Sequence, residues 1–319
     1  MSHPSKGNVT VARRVPLLGT ALAAGVIALT AAISVDTSAV AAFGAPKTAT
    51  TPTVASASTA SVTCTTPAVA MYHVDAQGQL RRWGLESPLT GTPGWVEQRI
   101  GSGWSGLNVI SGGDGTIYTI DRAGNLRWYD DDHYAGGGAS WDPASGSLIG
   151  TGWNGFTSVI SGGNGVLYGV DSSGALHWYR DQAMNGSVSW APGSGSVIGA
   201  GFGAPSALIA GGQGVIYMVT SSGTLDWYRH LDPTSGVAAW ANNGAASPIG
   251  SGWTAFARIA SMGGGILVTR DQNGGASWYR DTDPLGGSAS WANGGSGIAE
   301  GAGWNETQLI TDISGCTAS

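Results

Sequence analysis

The run Ala175-Leu176-His177-Trp178-Tyr179-Arg180 alternates, so Leu176 and Trp178 point to one side of an extended chain and His177 and Tyr179 to the other. Both sides are apolar enough to need cover. Three more apolar runs belong to the same unit: TSVIS, GVLYGVD and VSW with its polar tail. Between the second and third lies Asp171-Ser172-Ser173-Gly174. There the Asp side chain can accept backbone N–H bonds, and Gly tolerates the left-handed conformation that closes a hairpin. The same logic recurs at Asp75 to Gly78, Asp121 to Gly124 and Asp271 to Gly274, and weakens at Thr220 to Gly223. Short strands joined by tight turns pair antiparallel, which predicts a four-stranded meander.

The meander is written five times. SGGNGVLYGVDSSGALHWYRD at 161–181 returns at 111, 210 and 261, with a worn copy at 65. All 14 tryptophans fall into three columns. One follows a glycine (Trp104, Trp153, Trp253 and Trp304, with Phe202 in the missing place). A second ends the repeated phrase (Trp83, Trp128, Trp178, Trp227 and Trp278). The third stands in a later loop (Trp95, Trp141, Trp190, Trp240 and Trp291). A period of about 50 residues whose sheets are apolar on both faces suits an open solenoid or a closed propeller.

The chain ends separate the two. The first copy begins at a second strand, VAMYHVD, and the last stops after a first strand, TQLITDIS. A solenoid needs complete, polar-faced caps, whereas these fragments complement each other. The prediction is an all-β, five-bladed β-propeller of four-stranded antiparallel blades, closed by pairing N- and C-terminal strands in one blade. Cys64 and Cys316 bracket the repeats and are expected to form a disulfide near the first hairpin turn of the closing blade.

Composition adds little against this. Gly 54 and 11% charged residues fit many turns and short strands, and a net charge of -6 gives no footprint for nucleic acid. Lys6, Arg13 and Arg14 precede an apolar run from Val15 to Val35, and Ala39-Val40-Ala41 offers a cleavage site. Residues 1–41 are therefore read as a secretory signal peptide, with an uncleaved anchor as the alternative and the Sec or Tat route open. Residues 42–63 are Ala, Thr, Ser and Pro, a disordered linker, which leaves 64–319 for the propeller.

The unit resembles the tachylectin family of five-bladed propeller lectins. The likeness is carried by IGTGWNGF at 149–156 (also IGSGWSGL and IGSGWTAF), the GVLYGVD strand, and an aromatic-Tyr pair followed by a loop ending in Trp. Kelch repeats share a double glycine with Tyr and Trp, but their spacing differs. The tachylectin resemblance implies sites for N-acetylated amino sugars (GlcNAc or GalNAc). Each would lie between the loop before one blade's outer strand and the linker from the preceding blade. It places the loops at Asp130 to Trp141, Arg180 to Trp190, Arg229 to Trp240 and Arg280 to Trp291. The family's Asp-Asn-Trp, however, is here Ala139-Ser140-Trp141, Val188-Ser189-Trp190, Ala238-Ala239-Trp240 and Ala289-Ser290-Trp291. The side chains that could hold an acetamido group are missing.

Sugar sites combine an aromatic wall with a few fixed polar groups. The candidate contacts are Tyr129, Tyr179, Tyr228 and Tyr279, with the charged residues behind them and the loop tryptophans. The charged residues are Asp130, Arg180, Asp181, Arg229, Asp232, Arg280 and Asp281; the tryptophans are Trp141, Trp190, Trp240 and Trp291. The Gly-Trp column is assigned to blade packing. Gly84 stands where the first copy should have its Tyr, the Trp95–Trp104 interval is short, and Phe202 and Pro205 alter one linker, so three or four working sites are expected. Copies of a weak site on one rigid ring act by avidity on a glycan surface.

The expected function is thus a secreted, monomeric, carbohydrate-binding protein without cofactor or metal. Asp130-Asp131-Asp132-His133 occurs once and suits a solvated loop. Two other classes stay open. A propeller glycoside hydrolase would converge two carboxylates on the axial channel, and the unmatched acids are Asp114, Asp142, Asp226, Glu97, Glu300 and Glu306. A protein-binding scaffold would be indifferent to free sugars.

Overall fold

The computed structural model describes residues 60–319; the signal segment and nearly all of the linker lie outside them. The described chain forms five antiparallel sheets around one axis. Blade 2 comprises Asn108–Gly113, Thr116–Ile120, Leu126–Asp130 and Ser147–Gly150 from the axis outward. Blade 3 comprises Ser158–Gly163, Val166–Val170, Leu176–Arg180 and Ser196–Gly199. Blade 4 comprises Ala207–Gly212, Val215–Val219, Leu225–Arg229 and Ser247–Gly250. Blade 5 comprises Phe256–Gly263, Ile266–Asp271, Ala276–Arg280 and Ile298–Gly301. Blade 1 takes its inner strand, Gln308–Thr311, from the tail and adds Val69–Val74, Gln79–Leu85 and Trp95–Ser102. Each inner strand neighbours the next, and blade 5 meets Gln308–Thr311, so the ring is shut.

The predicted hairpins form for the predicted reason. Oδ1 of Asp75, Asp121, Asp171 and Asp271 each accepts two backbone N–H bonds across its turn. The glycine closing the turn of Asp171, Gly174, has φ 83°.

Three expectations change. The outer strand of blades 2 to 5 is not the run ending in the loop tryptophan. Trp141, Trp190, Trp240 and Trp291 make only an isolated bridge to the third strand, and pairing resumes at segments such as Ser196–Gly199. A loop of five or six residues bulges out between them, and only blade 1, which lacks it, runs unbroken from Trp95 to Ser102. The cysteines do pair, Cys64 to Cys316, at a sequence separation of 252. They lie in a small hairpin, Val62–Cys64 with Cys316–Ala318, set against the inner strand of blade 5 rather than in the closing blade. That hairpin also takes up Val62 and Thr63, assigned above to the linker.

The third change concerns the first copy. Tyr72 pairs with Arg82, whereas Tyr118, Tyr168 and Tyr217 pair with Trp128, Trp178 and Trp227. Arg82 therefore occupies the buried Trp column, Trp83 the Tyr column and Gly84 the next. The first copy has its aromatic after all.

Candidate functional site: the blade junctions

Alternation along the third strand sends Trp178 toward the following blade and Tyr179 toward the preceding one. Trp178 is buried among residues of blades 3 and 4, and Tyr179 packs on a cluster shared with blade 2. The junctions are then stitched in three ways.

The first stitch runs from the second strand of one blade to the first loop residue of the next. Tyr72, Tyr118 and Tyr217 donate their hydroxyls to Asp131, Asp181 and Asp281 at 3.4, 3.3 and 3.2 Å. Burial holds all three phenols far above their ordinary range, so they remain neutral donors. Tyr168 meets His230 instead, 3.0 Å from Nδ1. With Nε2 facing the Val237 carbonyl at 2.7 Å, His230 is the neutral tautomer that donates from Nε2 and accepts from Tyr168 at Nδ1. Burial lowers its pKa in agreement. The last junction exchanges both partners for apolar ones, Val268 and Leu85, each fully buried. Replacing both ends together leaves no orphaned polar group.

The second stitch is the buried Trp column. Nε1 of Trp178, Trp227 and Trp278 donates to the carbonyls of Pro233, Pro284 and Pro88 in the next blade's loop, at 2.7, 2.8 and 2.8 Å. Arg82 does the same work by donating to Asp131 at 2.5 Å and to the Gly137 carbonyl. Trp128 faces the Asp181–Trp190 loop, which contains no proline, and its Nε1 has no partner among the described residues. The third stitch runs backward. Nε1 of Trp141, Trp190, Trp240 and Trp291 donates to the carbonyls of Ile100, Ile149, Ile198 and Ile249 on the preceding blade. In the closing junction Trp95 donates instead to Glu300 at 3.0 Å, a buried glutamate in the isoleucine column.

These stitches divide the candidate contacts. Asp181 and Asp281 are buried and spent on loop amides and tyrosines. Arg180, Arg229 and Arg280 reach across to the carbonyls of Thr234, Leu285 and Leu89 of the next blade. Asp232 accepts from Ser235 and Thr234 within its own loop. Asp130 is equivalent to the arginines, not to Asp181, because Asp131 holds the stitched position. The charged residues thus do not converge on the tyrosines. The Asp131-Asp132-His133 run is likewise folded into its loop, with Ser140 on Asp132 and Gly138 on His133.

What does converge is aromatic. Tyr179 lies 4.7 Å from Trp153 and 6.0 Å from Trp190, ring centre to ring centre. Trp104, Tyr129 and Trp141 repeat the trio between blades 1 and 2, at 4.9 and 6.1 Å from the tyrosine. Phe202, Tyr228 and Trp240 form the next one, and Trp253, Tyr279 and Trp291 the fourth. The linker aromatic is a buried floor, while the tyrosine and the loop tryptophan are partly buried. Among the described residues the hydroxyls of these four tyrosines make no hydrogen bond to protein, unlike those of Tyr72, Tyr118, Tyr168 and Tyr217. The bulge loop covers them closely; at Gly297 a Cβ would fall 2.6 Å from the Tyr279 ring.

The closing junction has Trp83, Trp95 and Trp304, with centres 4.7 and 5.5 Å from Trp304. Without the bulge loop, Glu97 lies directly across from Trp83 and pairs with Arg81 at 2.7 Å. The axial channel is lined by Ile, Leu, Val and Ala with Ser111, Ser161, Ser261 and Thr311. Glu97, Glu300 and Asp226 sit on outer and third strands, away from it.

Fold and junctions together define a five-bladed propeller with a repeated aromatic cleft between blades. The chain belongs to the tachylectin family, whose profile matches residues 62–309. A search of curated proteins finds no match. Among solved structures the chain is similar to AofleA from Arthrobotrys oligospora (13% identity, 79% of this chain and 74% of that one, TM-score 0.40). It is also similar to the SapL1 lectin in complex with alpha methyl fucoside (16% identity, 72% and 76%, TM-score 0.38). A third is Prp20p from Saccharomyces cerevisiae (13% identity, TM-score 0.37), where 72% of this chain spans 61% of the other's length.

Proposed function

We propose that the protein is a secreted lectin with four equivalent sugar sites at the junctions that carry a bulge loop, and a fifth junction of different character. The observation behind this reading is the partly buried tyrosine with a hydroxyl unpaired among the described residues, set between two aromatic rings and repeated four times. Such a cleft packs the C–H face of a sugar ring and offers one polar handle. Family membership supports carbohydrate as the ligand class. The residues ahead of each loop tryptophan close the loop neck through their carbonyls, as Ser189 does for Gln182. A hydroxyl-rich hexose held by stacking and backbone groups therefore fits better than recognition through an acetamido group. Secretion accords with the disulfide, since such bonds persist in oxidising compartments.

A glycan array followed by calorimetric titration tests the proposal. Four ligands per chain are expected, and Tyr179→Ala or Tyr228→Ala should each remove one. Unchanged stoichiometry in both variants rules out the clefts as sites.

A further inference from the structure

Residues that the blade architecture demands recur in each copy; those that do not recur are free to serve something else. One groove between blades 2 and 3 carries such residues, Arg122 and Asn108, beside recurring ones. It has a volume of about 250 Å3 and lies between the Asp121–Gly124 turn and the linker that starts blade 3, with Trp153 and Phe156 in its lining. Arg122, Asn108, Asn154 and Ser158 also line it, and none of their side chains makes a hydrogen bond or ion pair among the described residues. The positions equivalent to Arg122 hold Ala76, Ser172, Ser221 and Gln272, and those equivalent to Asn108 hold Ser158, Ala207, Arg258 and Gln308. Most other arginines are spent: Arg127, Arg180, Arg229 and Arg258, for example, all dock on backbone carbonyls. Asp121, the one carboxylate in the lining, is occupied by the amides of Ala123 and Asn125 and by the Asn125 side chain.

We propose that this groove binds a carboxylate-bearing sugar of the uronic-acid type. Arg122 would take the carboxylate through its planar pair of N–H donors, Asn108, Asn154 and Ser158 would meet hydroxyls, and Phe156 would pack the ring. The groove backs onto the Tyr179 cleft through Trp153 and through Phe156, 5.8 Å from the Tyr179 ring, but it shares no lining residue with the Tyr279 cleft, formed with Trp253 and Trp291.

The test is titration of the full chain with methyl glucuronide and with methyl glucoside. The glucuronide should bind one site per chain at least tenfold more tightly than the glucoside does there. Arg122→Gln should abolish that difference, Asn154→Ala should weaken both, and Tyr279→Ala, in a cleft two blades away, should leave the site intact. Circular dichroism and melting of the two surface variants should match the parent, which separates lost binding from lost folding. Equal affinity for the two sugars, or discrimination that survives Arg122→Gln, overturns the proposal. So does inorganic sulfate binding as tightly as the glucuronide, which would mark a site for anions without the sugar.

Discussion

Asp281 shows how one side chain can carry opposite messages about function and stability. Its carboxyl is buried, and burial pushes its pKa up to about 7 despite bonds from the Asp283 amide and Tyr217. Burial, with nearby acids adding, raises Asp130 to about 6, and burial beside Asp114 raises Asp312 to about 6. A folded-state pKa above the unfolded value means the native protein holds protons that the unfolded chain has released. The stability these groups contribute is complete below an ordinary carboxylate pKa of about 4 and is lost as pH rises through about 6 to 7. The melting temperature should therefore fall between about pH 5 and pH 8, and Asp281→Asn should flatten that decline; a profile rising over the interval would contradict the assignment. From the sequence alone Asp181 and Asp281 look like ligand contacts, because they follow a tyrosine in a long loop. Which way they point was not legible. Their partners, Tyr118 and Tyr217, belong to another sheet 63 and 64 residues away.

Among elements, the third strand is the clearest in the sequence and the outer strand the least clear. Leu176-His177-Trp178-Tyr179 alternates strictly, and the faces are as the alternation predicts. The outer strands are four residues long in blades 2 to 5 and carry one buried side chain each, too few to show a period. The first copy misleads for a related reason. Aligning Trp83 with the other tryptophans is natural, but the pairing of Tyr72 with Arg82 moves it one place. Register is set by partner strands, and a slip of one residue exchanges the faces. The buried Trp column supports a comparison between junctions. Trp178→Phe removes a hydrogen bond to Pro233 and leaves a carbonyl short, which should cost about 1 kcal/mol more than Trp128→Phe, whose indole N–H is already unpaired. Paired urea melts would show this as a gap in midpoint; equal losses would mean that the indole bond contributes nothing.

At the scale of the whole molecule, closure rests on two devices of different kind. The tail strand Gln308–Thr311 completes blade 1 with backbone bonds, and the disulfide joins the hairpin beside blade 5. Locking a loop of this length removes unfolded-state freedom worth up to about 5 kcal/mol in the chain-entropy picture. Cys64→Ser with Cys316→Ser should lower the melting temperature to that of the reduced parent while leaving sugar stoichiometry unchanged. Loss of binding at every site would show that the hairpin, not the tail strand, keeps the ring in shape.

By itself the sequence determined the number of blades, the hairpin turns, the closure of the ring and the pairing of its two cysteines. Each of these follows from local chemistry or from a period repeated often enough to survive worn copies. The tertiary structure alone decided which polar groups face a ligand and which face a neighbouring blade. Contacts across a junction join residues from separate copies, and their register depends on how two twisted sheets pack. No spacing within one repeat encodes it.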